Sequence, residues 1–316
     1  MMVTTILWIK KMRKHNYNFA KIKNYYLKFI QKQEVLGEPF FDKIGQLKNY
    51  YLPISEKIYR ENKRKKKITV LGLSGAQGTG KSTISQIIKI ILKKKYNLNS
   101  VCFSIDDFYK TLKERKKMAK NIHQLFLTRG VPGTHDTKLL QNTFKGLLKK
   151  NFKPISIPRF DKSTDDRVNK KIWLKIKKKP DIIIFEGWCV GALSQNNLRL
   201  KKSINKLEKK YDKNLIWRIR VNNEIKKNYK KIFKLIDSLI FLKVPGFKHV
   251  YEWRFLQERK LKLKSKGSKV MNREKIKKFI MFYERITRQM ITDLQSKANI
   301  VIKLDKKHRL CGIKFN

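Results

Sequence analysis

Short apolar runs recur along this chain, each bounded by charged or turn-forming residues. Residues 68–73, 100–105, 181–185, 215–219, 238–242 and 299–304 are such runs. Runs of this length without strict alternation fit strands buried on both faces of a parallel sheet. Residues 155–157 predict a further short strand. Between the strands the pattern turns helical, as in 82–92, and strands alternating with helices predict a layered α/β domain. Residues 1–66 read as helical and basic, with aromatics at Tyr17, Phe19, Tyr25, Tyr26 and Phe29 that suit an apolar helix face better than base stacking. The charged stretch 61–67 reads as a solvated linker into the first strand, and 247–294 as one long helical segment. No internal repeat is visible. The expected division is a helical extension over 1–66 and a catalytic domain over 67–316.

Between the first strand and the first helix of that domain lies Gly75-Ala76-Gln77-Gly78-Thr79-Gly80-Lys81-Ser82, followed by Thr83. It fits the phosphate-loop pattern G-x-x-x-x-G-K-[ST] at every specified position. The glycines let the backbone curl so that its N–H groups face phosphate oxygens. Lys81 brings positive charge to the β- and γ-phosphates, and the Ser82 hydroxyl can ligate Mg²⁺. The strand before and the helix after put a helix N-terminus at the phosphates. ATP and Mg²⁺ are therefore the expected cofactors.

Acids stand at two other strand ends. In an open α/β sheet the ligand crevice lies past the carboxyl ends of the strands. Asp106 and Asp107 follow the run 100–105. A carboxylate there can take a proton from a substrate hydroxyl or hold Mg²⁺; a helix cap with a first-turn acid is the alternative. Glu186 ends the run 181–185, where it can associate with Mg²⁺ or simply close a turn. Two polar clusters lie between, at 128–136 and 158–167. Arg129, Arg159, Lys162 and Arg167 in them could hold an anionic acceptor. For any one basic residue in so basic a chain, a solvated side chain is the alternative.

These motifs, taken in order, resemble a known family. The phosphate loop, Ser104-Ile105-Asp106-Asp107-Phe108-Tyr109, Arg129-Gly130 with Gly133-Thr134-His135-Asp136, Pro158-Arg159-Phe160-Asp161-Lys162-Ser163 and Phe185-Glu186-Gly187-Trp188 look like the D-glycerate 3-kinase branch of the phosphoribulokinase/uridine kinase superfamily. Val250-Tyr251-Glu252-Trp253-Arg254 resembles that branch's late helical region. The resemblance runs from about residue 50 to residue 305, and the first roughly 50 residues lie outside it. It implies a three-layer α/β P-loop kinase fold with a mostly parallel sheet, plus the helical N-terminal extension. It implies phosphoryl transfer from Mg·ATP to a small hydroxyl compound, glycerate first. Asp106 would be the general base, with Lys81 beside it, and Ser82, Asp106 and Glu186 would lie at the metal. Asp107, Tyr109, Arg129, His135, Asp136, Arg159, Asp161, Lys162 and Arg167 would form the acceptor pocket and part of a lid. The segment between Lys162 and Arg167 is shorter than in plant-type members.

Composition adds one tension. The formal charge is +54, from 78 basic and 24 acidic residues, which invites a nucleic-acid partner. The charge is spread along the whole chain and is mostly Lys, with Asn and Ile also abundant. That points to compositional bias, so no specific nucleic acid is expected. A nucleic-acid-stimulated ATPase remains the rival, although no RNA-recognition or helicase motif set accompanies the phosphate loop. Cys102, Cys189 and Cys311 are far apart and show no metal spacing, which suits a reducing cytoplasm. No apolar run reaches the length of a membrane span, so no membrane partner is expected. Residues 3–9 are apolar but lack the features of a signal peptide, and Met12 is a possible alternative start.

Overall fold

A computed structural model describes residues 19–34, 40–264 and 271–316. Its centre is a six-stranded sheet in the order β10-β9-β8-β1-β7-β2. The strands are β1 (Thr69–Gly75), β2 (Ser100–Ser104), β7 (Ile182–Gly187), β8 (Ser238–Lys243), β9 (Ile300–Leu304) and β10 (Leu310–Phe315). Strands β2, β7, β1, β8 and β9 run parallel, and β10 closes one edge antiparallel. Two small antiparallel pairs stand apart, β3 (Ile155–Ile157) with β6 (Leu174–Ile176), and β4 (Phe160–Asp161) with β5 (Asp166–Arg167). Side chains of β7 alternate between two cores. Ile183 and Phe185 join one cluster, and Ile182 and Ile184 join the other. Both faces of the sheet are thus covered, the condition under which continuous apolar runs make parallel strands.

The helices of the N-terminal region, α1 (residues 19–33) and α2 (Lys43–Gln46, Leu47–Tyr51 and Leu52–Lys65, the middle piece a π-helical turn), share a core with the sheet. Ile22, Tyr26, Ile30, Ile54 and Ile58 pack in one cluster with Leu71 and Leu73 of β1. Tyr26 is buried, Phe19 and Phe29 lie against the same cluster, and the exposed Tyr25 carries Lys94 over its ring. Tyr17 lies outside the described residues.

Three expectations change. The stretch 61–67 is not a solvated linker. Helix α2 runs through Lys65, Lys66 caps it in a left-handed conformation, and Lys65 and Lys67 both pair with Asp237. Asn62 also ties the helix to the sheet by donating to Thr69 Oγ1 and the Asp181 carbonyl. Residues 215–219 are not a strand. After the short helices α6 (Asn197–Lys201) and α7 (Lys206–Tyr211), Leu215 is left-handed, and a helix, α8, begins at Ile216 (Ile216–Glu224). The Asp212 carboxylate accepts from the first free N–H groups, those of Trp217 and Arg218, and Trp217, Val221 and Ile225 turn one face to the core. The late helical segment is two helices, α9 (Phe247–Lys264) and α10 (Arg273–Lys297). Among the described residues no helix is long and apolar enough to cross a membrane.

Candidate active site

Because β1, β7 and β2 are neighbouring parallel strands, their carboxyl ends meet at one edge of the sheet. Glu186 of β7 lies in register between Leu73 of β1 and Ser104 of β2. The phosphate loop leaves β1 at that edge and enters α3 (Lys81–Tyr96). Gly78 and Gly80 take positive φ, 79° and 83°. A Cβ at Gly78 would lie 2.9 Å from the backbone of Trp253 on α9, so this helix packs directly on the loop. Lys81 Nζ donates to the carbonyls of Gly75 and Ala76, both at 2.9 Å. Thr79 Oγ1 also donates to Ala76, at 2.8 Å. The Gln77 amide is buried with neither its oxygen nor its nitrogen hydrogen-bonded to protein.

Ser82 Oγ donates to Glu186 Oε1 at 2.9 Å. Burial pushes the Glu186 carboxyl up, while the positive charge of Lys81 pulls it back. Burial also lowers Lys81, opposed by Glu186 and Asp106. These groups therefore hold one another's charge in a poorly solvated edge.

Asp106 and Asp107 lie in a short 3₁₀ turn, Ile105–Phe108, that follows β2. Asp107 does form the cap foreseen as an alternative: its carboxylate accepts from the Ser104 N–H at 3.1 Å. Burial raises its pKa to about 6, against that hydrogen bond and the charge of Arg159. Asp106 instead faces outward from the turn. It accepts from Lys162 Nζ at 2.7 Å and from the Tyr109 hydroxyl at 2.8 Å. Burial alone would raise it, but Lys162, His135 and Tyr109 together hold it below the usual carboxylate range.

The remaining candidates divide. Tyr109 stacks on His135 with ring centroids 4.5 Å apart. His135 Nδ1 lies 2.5 Å from the Tyr229 hydroxyl, which also accepts from the Gly133 N–H at 3.0 Å. Which of the two carries the shared proton depends on the imidazole tautomer. The other ring nitrogen, Nε2, is buried and has no hydrogen-bond partner among the described residues. Burial lowers the imidazole to about 3, so it is neutral at physiological pH. Arg159 is exposed; its carbonyl accepts from the Val168 N–H at 3.0 Å, and its guanidinium makes no hydrogen bond or ion pair among the described residues.

Others are engaged in structure. Arg129 pairs with Asp165, and its carbonyl accepts from Tyr283. Arg167 bonds the Tyr109 carbonyl at 2.9 Å and reaches Asp136 at 3.4 Å. Asp136 caps helix α5 (Thr137–Leu148) by accepting from Leu139 N–H. Asp161 closes its own turn by accepting from Ser163. Arg115, Asp165 and Tyr229 were not singled out from sequence. Arg115 sits among lysines in a charged helix, α4 (Leu112–Asn121), yet it is fully buried.

A phosphate loop and two strand-end acids on one sheet edge, with a hairpin that brings Lys162 to Asp106, are the parts a phosphotransferase needs. Residues 70–220 match the model of the phosphoribulokinase/uridine kinase family. The uncharacterized kinase mug58 of Schizosaccharomyces pombe is 36% identical over 68% of this chain and 78% of its own length. The probable ATP-dependent kinase TDA10 of Saccharomyces cerevisiae is 31% identical over 76% of this chain and 86% of its own. The chloroplastic D-glycerate 3-kinase of Arabidopsis thaliana is 28% identical over 76% of this chain and 53% of that protein. The fold is also that of a D-glycerate 3-kinase from Cryptococcus neoformans, with a TM-score of 0.72, 22% identity and coverage of 84% of this chain and 99% of that one. By motif order, sheet topology and these relatives alike, the chain belongs to the phosphoribulokinase/uridine kinase family, as a member similar to the D-glycerate 3-kinases.

Proposed function

We propose that this kinase transfers the γ-phosphoryl group of ATP to a hydroxyl of a small acid, with D-glycerate as acceptor and 3-phosphoglycerate as product. The observation that carries this reading is the Lys162–Asp106 pair at 2.7 Å beside the phosphate loop. Lys81 and the loop N–H groups would take the β- and γ-phosphates. Asp106 would align the acceptor hydroxyl and receive its proton. A carboxylate held this low is a weak base, so alignment comes first and proton transfer late, as a loose phosphoryl-transfer transition state allows. Lys162 would meet the charge on the transferring group.

Ser82 and Glu186 would hold Mg²⁺. They offer a hydroxyl and a buried carboxylate already in contact, both hard oxygen donors. Among the described residues no group of three or more His, Cys, Asp or Glu forms a cation cage, and Mg²⁺ at such sites uses one or two carboxylates plus substrate phosphates. Bound there, the ion would neutralise phosphate charge. Asp106, the third candidate ligand, is engaged by Lys162 and Tyr109 and is better suited to the hydroxyl. The unpartnered Gln77 amide, beside the phosphates, is a further group that a nucleotide would satisfy.

An acid acceptor is favoured by Arg159, whose exposed guanidinium has no protein partner among the described residues, and the buried Nε2 of His135 is a further polar atom that an acceptor could engage. A bidentate arginine suits a carboxylate better than a neutral nucleoside. Arg129, Arg167, Asp136 and Asp161 would serve the pocket only as scaffolding. We place the reaction in the cytoplasm, which three free cysteines suit. ADP release with Mg·ATP against D-glycerate, L-glycerate, uridine and pantothenate tests the reading. Turnover confined to glycerate supports it; turnover only with uridine or pantothenate keeps the kinase and rejects the acid.

A further inference from the structure

Lys162 and Arg159 both belong to the hairpin formed by β4 and β5, and the hairpin has almost no core of its own. Its residues 161–167 are all exposed or half-buried. Lys162 is an exposed side chain, and its single ion pair with Asp106 does not by itself fix a hairpin. Something else must set the hairpin's position over Asp106.

Asp165 is the point of attachment. It sits at the turn of the hairpin with φ of 60°. The fully buried Arg115 donates to its backbone carbonyl at 2.6 Å and pairs with its carboxylate at 3.0 Å. The same guanidinium donates to the carbonyls of Lys110 and Leu127, at 3.2 and 2.7 Å. One buried cation thus joins the segment after Asp106, the loop before Arg129 and the hairpin. Arg129 grips the other carboxylate oxygen of Asp165 and reaches the Lys162 carbonyl at 3.4 Å. Lifting the hairpin would strip Arg115 of its only carboxylate among the described residues and leave a buried charge unpaired. The neighbouring Asp166 adds a lesser tie, accepting from Leu112 N–H at 3.3 Å.

We infer that Asp165, clamped between Arg115 and Arg129, is a positioning residue that holds the hairpin so that Lys162 and Arg159 face the two aspartates. This rests on the functional reading above for what the hairpin does, and on the structure alone for how it is held. It also gives Arg129 a role other than acceptor binding. Asp165 acts on kcat through Lys162, so removing either should cost the same interaction in kcat, whereas a displaced Arg159 should show in the KM for D-glycerate.

The test uses the full chain in four forms: the unaltered protein, Asp165→Asn, Lys162→Ala and the double variant. For each, kcat and KM are measured with Mg·ATP and D-glycerate, and amide hydrogen exchange is followed in peptides covering 159–168 and 137–148. Asp165→Asn should lower kcat about tenfold or more while the KM for ATP stays within about twofold, since small misplacements of catalytic groups cost rate steeply. The double variant should be no slower than Lys162→Ala. Exchange over 159–168 should quicken about tenfold in Asp165→Asn, with 137–148 unchanged. Multiplying effects in the double variant, an unchanged kcat, or unchanged exchange over 159–168 would each overturn the inference. Exchange needs no turnover, so a chain that phosphorylates no acceptor defeats the functional reading while the clamp is still judged on exchange. Should Asp165→Asn fail to fold, Arg129→Gln opens the other arm of the clamp and is read by the same two measurements.

Discussion

Lys162 Nζ and Asp106 Oδ2 lie 2.7 Å apart although 56 residues separate them in the chain. The pair fixes the ionisation of Asp106. Burial would raise this carboxyl, and Lys162 is the largest influence pulling it the other way. If turnover requires ionised Asp106, losing Lys162 should move the acid limb of the kcat–pH profile to higher pH. Lys162→Met should show that shift together with a fall in plateau kcat of about tenfold or more, the range for one lost charge-stabilising group. An acid limb that stays in place would separate Asp106 from the titrating group.

Asp107 gives a pH effect of its own. Its native pKa is raised to about 6 from an ordinary 3.8, first by burial. Between those values the native state binds more protons than the unfolded state, so this group's contribution is most favourable below pH 3.8. It is lost as pH rises through about 6. Asp107→Asn keeps an oxygen for the Ser104 N–H but cannot ionise. Its Tm relative to the unaltered protein should therefore rise between pH 5 and pH 7.5. A difference in Tm that is flat with pH would contradict the assignment.

Two glycines of the phosphate loop should respond unequally. Gly78 and Gly80 both have positive φ, yet a Cβ at Gly80 meets nothing within 4 Å, whereas one at Gly78 runs into the backbone of Trp253. Gly80→Ala bears backbone strain alone, about 1–2 kcal/mol. Gly78→Ala adds a steric clash that must move α9, so its loss of stability in denaturant unfolding should exceed that of Gly80→Ala by about 1 kcal/mol or more. Equal losses would mean that α9 does not pack on the loop as described.

How much of this was legible in the chain differs by residue. The phosphate loop, Asp106 and Glu186 could be placed from local pattern because a parallel sheet puts strand ends on one edge. Residues 215–219 misled because Leu215-Ile216-Trp217-Arg218-Ile219 is a short, mostly apolar run of strand length, which periodicity alone does not separate from a helix start. The deciding group, the Asp212 carboxylate that caps the helix, lies outside the apolar run. Arg129 and Arg159 look alike in sequence, each in a polar loop near Gly or Pro. Only the folded chain shows that Asp165 takes the guanidinium of the first and leaves that of the second without a partner among the described residues. Arg115 was hidden for the opposite reason, since a helix of lysines gives no hint that one cation turns inward. Pairings between distant segments decide these cases, and no local period records them.

Asp106-dependent phosphoryl transfer to an acid's hydroxyl is read most directly by ³¹P NMR of the products formed from Mg·ATP and D-glycerate by the unaltered chain and by Asp106→Asn. The unaltered chain should give 3-phosphoglycerate and ADP in equal amounts. Asp106→Asn should form them at a rate lower by about a hundredfold or more, in the range of general acid–base contributions. Full-rate product formation by Asp106→Asn, or ADP without a phosphorylated acid, would contradict Asp106-dependent transfer.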